Sequence, residues 1–267
     1  MGKLNERNRI NQIDPAPEGW RPPLFHVVRS RSDRLVAGIR RLFDLPASSI
    51  WRDLGDILPT CSGDVVDVGC GAQPYRELFS SDVRYRGIDT DRAPEEFGYS
   101  VSDTTYYDGK RWPLQDDSVD VALATETLEH VEVLSEFLSE AARCIRPNGQ
   151  LILTVPFSAR WHFIPWDYWR FTPSGLSTIL RPHGFNATHI WARGNAVTVA
   201  CYKLIALILP LLFSVHRNLI IRFSSRAFGF ACSPVLAVLA LIGNLSLRSS
   251  GGNDCLGYTA VAVLSKD

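Results

Sequence analysis

The sequence predicts an α/β fold built on a doubly wound, mostly parallel sheet. Three observations carry that prediction. Short blocks of β-branched and apolar residues recur between about residues 64 and 157. They alternate with segments whose apolar residues repeat at helical spacing. The first block, VVDV, runs directly into two glycines separated by one residue, Gly69 and Gly71. Strands alternating with helices imply βαβ units, right-handed crossovers and a sheet covered on both faces. The ligand of such a sheet is expected beyond the carboxyl ends of the strands.

Taken in order, residues 1–23 are polar and proline-rich with no apolar stretch of the signal-peptide kind, and read as a flexible tail. Glu6 also stands where a myristoylation signal needs Ser or Thr. The core is expected over 24–195. It begins with amphipathic helical spacing up to Leu58, with Leu35, Ile39, Leu42 and Phe43 set among arginines. Strands follow at about 64–68, 85–89 and 119–124. LSEFLSEAARCI places Leu134, Phe137, Leu138, Ala141 and Ile145 on one helical face, and RPNG is read as ending that helix before the strand QLILTVPF. Thr172 is the expected N-cap of a further helix, with Pro173 at its first position and Gly184 just past its end. A strand at about 186–193 and a closing strand at about 257–264, within 251–267, flank an apolar insertion over 196–250.

The chain has 267 residues, 28 basic and 28 acidic, and 46% apolar. A formal charge of zero leaves no electrostatic footprint for a nucleic-acid backbone, so nucleic acid is not an expected partner. The six cysteines show no CxxC pair and no histidines at metal-ligand spacing. They read as reduced thiols of a cytosolic protein, and no metal site is expected.

The motif D-x-G-x-G spans Asp67, Gly69 and Gly71. Glycines in such a turn permit positive φ and let ligand atoms approach bare backbone. Where a dinucleotide fingerprint needs its third glycine the chain has Pro74, which weakens a pyrophosphate reading and with it a nicotinamide-dependent oxidoreductase. Asp89 ends the second strand, 18 residues beyond Gly71, close to the spacing of about 20 at which an acid reaches ribose hydroxyls. The two carboxylates, Asp67 and Asp89, suit a positively charged nucleoside.

With VVDVGCG, YRGIDTD, YYDGKRWPLQDDSVDVALATETLEHV and a segment close to LRPNGxLILTVPF, the chain resembles the class I S-adenosylmethionine-dependent methyltransferases, in particular the type 11 methyltransferase family. The resemblance covers roughly 24–193 and the closing strand. It implies a Rossmann-like, seven-stranded sheet with S-adenosylmethionine as cofactor. Asp67, Gly69 and Gly71 would form the methionine-side turn and Asp89 would bind the ribose. An acid before PLQDDSVD would take the adenine amino group; spacing favours Asp108, with Asp103 as the alternative. Ala72-Gln73 departs from the glycine-bearing turn of the family, and Ile145 stands in place of leucine.

A sulfonium methyl group is already electrophilic, so alignment of acceptor, carbon and sulfur is the main task, supplying up to ~7–11 kcal/mol. A general base adds ~10²- to 10⁴-fold where the acceptor must lose a proton. Candidate bases are Glu126 and His130 after the third predicted strand and His162 after the next. RWHFIPWDYWRF is longer than a simple connection and forms an expected acceptor wall through Trp166, Asp167, Tyr168 and Arg170. A similar DYWRFTP segment occurs in family members linked to surface-glycan pathways. Arg170 either meets an acidic substrate or pairs with Asp167.

Within the insertion, 196–215 and 227–247 are each about long enough to cross ~30 Å of hydrocarbon. Lys203, Pro210 and Pro234 interrupt them, and Arg217, Arg222 and Arg226 in the link oppose a hairpin that exports them. A re-entrant or interfacial helical pair at the cytoplasmic face is therefore expected, with Lys203 snorkelling to the head groups. The alternative is a buried hairpin that covers a sheet edge or makes a homodimer contact. The leading function is methylation of a small-molecule, sugar or lipid-linked acceptor, and the competing one is an inactive cofactor-binding membrane scaffold. The sequence sets no oligomeric state.

Overall fold

The computed structural model describes residues 30–98, 100–249 and 251–266, so the N-terminal tail expected over 1–23 lies outside the described residues. Seven strands form one sheet: β1 (Asp64–Val68), β2 (Arg84–Thr90), β3 (Thr104–Tyr107), β4 (Val119–Thr125), β5 (Ile145–Pro156), β6 (Phe185–Arg193) and β7 (Gly257–Leu264). Their order is β3-β2-β1-β4-β5-β7-β6. Only β7 runs antiparallel to its neighbours. The winding reverses between β1 and β4, and the glycine turn opens at that switch point, where ligands of doubly wound sheets bind.

The two-residue period of the strands divides the core into two layers. Val65, Val121, Leu123 and Ile152 face helix α2 (Leu45–Ile57), which contributes Ile50 and Leu54. Val66, Val68, Ala122, Leu151 and Leu153 face the opposite way, onto Leu138 and Ala141 of α4 (Leu134–Cys144) and Leu176 and Leu180 of α5 (Pro173–Leu180). Buried Asp53 of α2 accepts hydrogen bonds from Trp191 Nε1 at 2.8 Å and Thr259 Oγ1 at 2.7 Å, so the helix is pinned to β6 and β7 as well as packed on the sheet. Helix α1 (Arg31–Phe43) starts on a Ser30–Asp33 capping box, and α5 starts on Thr172, whose hydroxyl accepts from Gly175 N. Gly184, at φ +80°, takes the left-handed position after α5 and its terminal 3₁₀ turn.

The regular alternation of strand and helix fails between β1 and β3. The β1–β2 connection holds only a 3₁₀ turn at Arg76–Leu78, and the β2–β3 connection a four-residue α3 (Ala93–Glu96). Gln73 sits at φ +53°, and Pro74 disfavours the α region at the residue before it and lacks an amide donor. No full helix starts on the glycine turn. Strand β3 was not read as a strand, and RPNG does not precede β5 but lies within it. Arg146–Gly149 form a bulge across which pairing jumps from Val119–Ile145 to Val121–Gln150, with Asn148 at φ +64°.

The insertion forms three helices, α6 (Ala196–Leu212), α7 (Leu219–Ala231) and α8 (Ser233–Ser246). Among the described residues no single helix is long and apolar enough to cross a membrane; α7 and α8, bent by 52°, reach the length and composition only as a pair. This corrects the expectation of two spanning-length stretches. Pro210 lies near the end of α6, and Pro234 sits in the first turn of α8 rather than interrupting it, because a missing amide costs nothing there. The inner stripe, with Cys201, Ile205, Leu236 and Ala240, packs on Leu45. Lys203 does not snorkel: its ammonium donates to the Ser158 carbonyl just after β5. The insertion leaves β6 at Arg193 and returns at Gly257, which pairs with both Arg193 and Pro156. The helical layer therefore rises from the carboxyl end of β5, on the same rim as the glycine turn.

Candidate functional site: two buried carboxylates and a cluster of histidines

Gly69 has φ +67° and Gly71 φ +50°. Gly69 N and Cys70 N both donate to the Ile88 carbonyl, at 2.9 and 3.3 Å, which folds the turn across the end of β2. The nearest obstacle to a side chain at 69 is Thr127: a Cβ there would stand 2.6 Å from its Cγ2. Part of the glycine requirement is therefore internal packing and not ligand approach. Gly69→Ala adds a left-handed alanine, costing ~1–2 kcal/mol, to an overpacking cost of ~1–3 kcal/mol. Urea unfolding is expected to show a loss of that summed size, and Thr127→Ala in the same chain to recover the packing share while leaving the backbone share.

Asp67, next to last in β1, is 3% exposed and Asp89 in β2 is 8% exposed. Tyr85 donates its hydroxyl proton to Asp67 Oδ2 at 2.7 Å. Asp89 accepts from Gly71 N at 3.0 Å and Thr90 N at 2.8 Å. Burial pushes the Asp67 carboxyl up to about 7, Tyr85 opposing the shift and the neighbouring Asp89 charge adding to it. Burial likewise raises Asp89, against the two backbone donors. Two carboxylates removed from water and repelling one another favour any cation that enters between them.

The departure at Ala72-Gln73 has a structural account. Gln73 is buried; its amide donates to Thr104 Oγ1 at 3.0 Å and accepts from Arg76 at 2.9 Å. Cβ-less Gly87 of β2 makes room for it. The turn is thus tied to β3 by a side chain where the family pattern has a glycine. Asp103 belongs to the same network, ion-paired with Arg76. It precedes β3, one residue before the Gly87–Thr104 pair, well back from the strand tips. Asp108 lies one residue beyond the Thr90–Tyr107 pair at the tip of β3; it is exposed and accepts from Lys110 N at 3.0 Å.

Glu126, read as a candidate base, is occupied otherwise. It follows β4 at φ +48°, and its Oε1 accepts from Arg193 Nη2 at 2.7 Å. Arg193 is 2% exposed; the same Nη2 donates to the Val155 carbonyl at 2.9 Å, and Nη1 to Ser49 Oγ at 3.3 Å. This guanidinium joins α2, the tips of β4 and β5 and the end of β6. Sequence reasoning missed it, since an arginine ending a strand carries no signal of burial.

The aromatic loop is largely held by itself. Asp167, whose side chain is fully buried, accepts two bonds from Arg170, at 2.5 and 2.7 Å, and one from His162 N at 3.0 Å. Those partners hold its carboxyl well below the usual range against the opposing effect of burial. Asp167 and Arg170 therefore form an internal clamp, the alternative in which Arg170 pairs with Asp167. His130 lies at the centre. Its Nδ1 is 2.5 Å from the Trp166 carbonyl, its ring meets Phe97, Phe163 and His162, and burial pushes its pKa down to about 4. Tyr168 is 42% exposed, its amide donating to the Glu129 carbonyl at 2.7 Å; Trp166 is half-buried against Phe97. Glu129, unmarked in the sequence reading, is completely buried and neither carboxylate oxygen has a hydrogen-bond partner. Burial and then the Glu126 charge raise it well above the usual carboxylate range.

Comparison with known proteins agrees with this architecture. The family described as "Methyltransferase domain" matches residues 66–153. A Mycolicibacterium smegmatis chain described as a probable S-adenosylmethionine-dependent methyltransferase is 33% identical over 102 residues, covering 36% of this chain and 39% of its own. The 27-O-demethylrifamycin SV methyltransferase of Amycolatopsis mediterranei is 34% identical over 112 residues, 38% and 41% of the two chains. The chain thus spans about two fifths of these curated relatives. In fold it is similar to a chain from the complex of the Haloferax volcanii Trm112 methyltransferase activator with a methyltransferase, with a TM-score of 0.51 at 18% identity over 90% of this chain and 100% of that one. It is also similar to a SAM-dependent methyltransferase from Archaeoglobus fulgidus, with a TM-score of 0.50 at 17% identity over 85% and 99%. Residues 66–153 thus match the methyltransferase-domain family, and the seven-stranded sheet that carries them has the fold of the methyltransferases it is similar to.

Proposed function

We propose that this protein transfers the methyl group of S-adenosylmethionine to a hydroxyl of a small, sugar-bearing or lipid-linked acceptor at a membrane face. The observation that carries the reading is the pair of buried carboxylates at the switch point, Asp67 and Asp89, both raised by burial and set on either side of the glycine turn. The donor set fits the cofactor: Asp67 for a cationic amino group, Asp89 for the ribose hydroxyls, and Asp108 at the tip of β3 for the adenine amino group. The bound cofactor supplies the electrophilic methyl carbon. The chain's own residues align the acceptor against it and exclude water, with Phe97, Phe163 and Trp166 as the wall. His162 Nδ1 lies 3.0 Å from the Arg160 carbonyl, which fixes the proton on Nδ1 and leaves Nε2 as the basic atom of the ring. Hydroxyl attack is favoured over other chemistry by the likeness to the 27-O-demethylrifamycin SV methyltransferase over 112 residues.

The lipid-facing part rests on the insertion. Ile220, Phe223 and Phe230 of α7 are exposed by 73–78%, and Val238, Leu241 and Leu245 of α8 by 51–60%, and exposed apolar side chains gathered on one helical layer suit a lipid surface. Arg217, Arg222 and Arg226 lie among them, suited to anionic head groups. Because this layer rises from the same strand-end rim as the glycine turn, it would present the site to an acceptor carried by the membrane, at its cytoplasmic face in this reading. Flotation with anionic vesicles tests it: the full chain is expected to float and a variant with Phe223, Phe230 and Leu241 changed to Ser to stay at the bottom. A full chain that remains free of vesicles contradicts membrane contact.

Two measurements test the catalytic reading. Calorimetry with S-adenosylmethionine and its demethylated product is expected to show one site for each. Assay on hydroxylated acceptors is then expected to show turnover, and binding with no turnover on any acceptor favours the scaffold. A pH dependence follows from Asp67. Its carboxyl is pushed up to about 7 by burial, and a cation requires it ionised. Affinity is expected to rise through pH 7, by up to about tenfold per unit below it, and to level above. Stability runs the other way. The folded pKa lies above the unfolded value of about 3.9, so the contribution is complete below pH 4 and lost as pH rises to about 7. The stability difference between wild type and Asp67→Asn across that window isolates it.

A further inference from the structure

We propose that Glu129, His130 and His162 form a binding site for one divalent transition-metal ion, of the two-histidine, one-carboxylate kind, at the acceptor side of the cleft. One ligand atom from each of the three residues lies within 4.8 Å of the other two. Glu129 Oε1 stands 3.8 Å from His130 Nε2, close to the ~3.4 Å that separates two ligand atoms on a tetrahedral ion with bonds of ~2.0–2.1 Å.

The carboxylate is the strongest indication. Both oxygens of Glu129 are buried without a hydrogen-bond partner, on a side chain that is 0% exposed. An orphaned buried carboxylate is costly, and buried charges are normally paired or bound to metals. The charged groups acting on it are the like charges of Glu126 and Asp167 and one cation, Arg170, which is committed to Asp167 and the Arg160 carbonyl. No cationic side chain is left to compensate it among those groups.

The histidines are set as ligands are set. The Trp166 carbonyl accepts from His130 Nδ1, so the lone pair is on Nε2, the atom turned toward Glu129. The Arg160 carbonyl and Asp167 Oδ2 each lie 3.0 Å from His162 Nδ1, which likewise leaves Nε2 for an ion. A backbone carbonyl or carboxylate behind each ring is the usual support of a metal-bound histidine. The Asp167–Arg170 clamp thereby acquires a purpose: it positions a ligand. Two nitrogens and one carboxylate oxygen suit zinc best, with manganese or iron as the alternatives from the same series.

Resting on the methyltransferase reading, an ion here would also take the acceptor oxygen in its open position and lower the pKa of that hydroxyl. With His162 Nε2 given to the ion, the acidified hydroxyl would lose its proton to solvent before the acceptor is enclosed, and its oxygen would then take the methyl group as the sulfur–methyl bond breaks.

The test is calorimetric titration of the chelator-treated full chain with zinc chloride, with cobalt as a spectroscopic probe of tetrahedral nitrogen and oxygen ligation. One ion per chain is expected. Glu129→Gln, which keeps the shape, and His162→Ala, on the half-buried loop, are each expected to weaken it by at least about tenfold, and Asp167→Asn by ~10–100-fold through the ring it supports. S-adenosylmethionine affinity, measured on the same samples, is expected to stay unchanged in Glu129→Gln. Loss of cofactor binding in wild type with zinc still bound sinks the methyltransferase reading alone. Absence of stoichiometric zinc, or zinc uptake indifferent to Glu129→Gln and His162→Ala, overturns the metal site.

Discussion

Arg193→Met is expected to lower the stability of the fold by about 3–5 kcal/mol, the cost of breaking a buried ion pair from one side. Arg193 is nearly inaccessible and holds Glu126, the Val155 carbonyl and Ser49 at once. Methionine fills much of the volume but returns none of those bonds. The Val155 carbonyl is left without its donor, and Glu126 keeps a charge at a position only 28% exposed. Gly257 is part of the same design, since a Cβ there would stand 2.3 Å from Arg193 Nη2. Urea denaturation of Arg193→Met, Glu126→Gln and the double variant forms a cycle. The double variant is expected to be more stable than the sum of the singles by ~1–3 kcal/mol, because removing the second charge relieves the first loss. An additive cycle would show that the two residues are merely neighbours.

Asp89→Ala is expected to weaken S-adenosylmethionine binding by roughly 100-fold. Hydrogen bonds to a charged group contribute ~1.5–3 kcal/mol each, and two ribose hydroxyls on one carboxylate reach ~3 kcal/mol, or about two powers of ten in affinity. The substitution also removes the acceptor of Gly71 N, so the glycine turn loosens at the place where the ligand would lie. Thermal unfolding of the ligand-free variant separates the two effects. A binding loss much larger than the change in unfolding midpoint assigns the carboxylate to the ligand; proportionate losses assign it to the turn.

The sheet was legible because the four-residue block VVDV, VDVALA and LILTV each carry β-branched and apolar residues on both faces, as strands covered on two sides do. Thr104–Tyr107 escaped notice because it is an edge strand of four residues, three of them only half-buried, with no apolar pattern to mark it. The missing helix after the glycine turn was written in Gln73-Pro74, but only the positive φ of Gln73 and its bonds to Thr104 and Arg76 show why. The insertion could not be resolved from sequence: a continuous apolar run looks alike as a span or as stacked helices, and the breaks at Phe213 to Asn218 and at Cys232 decide it. That Asp67, Gly69, Gly71 and Asp89 gather around one turn was expected from spacing, since a strand tip and its neighbour fix their separation. Glu129 was not. Its importance lies in what surrounds it, and the partners His162 and Asp167 come from a loop more than thirty residues later.

The most direct measurement of the central claim, that the carboxylates at 67 and 89 hold a sulfonium nucleoside over the glycine turn, is calorimetric titration of the full chain with S-adenosylmethionine at pH 6 and pH 8. The account predicts a single site, tighter at pH 8, whose pH dependence disappears in Asp67→Asn. No binding at either pH, or binding with the same affinity at both pH values and in the variant, would contradict it.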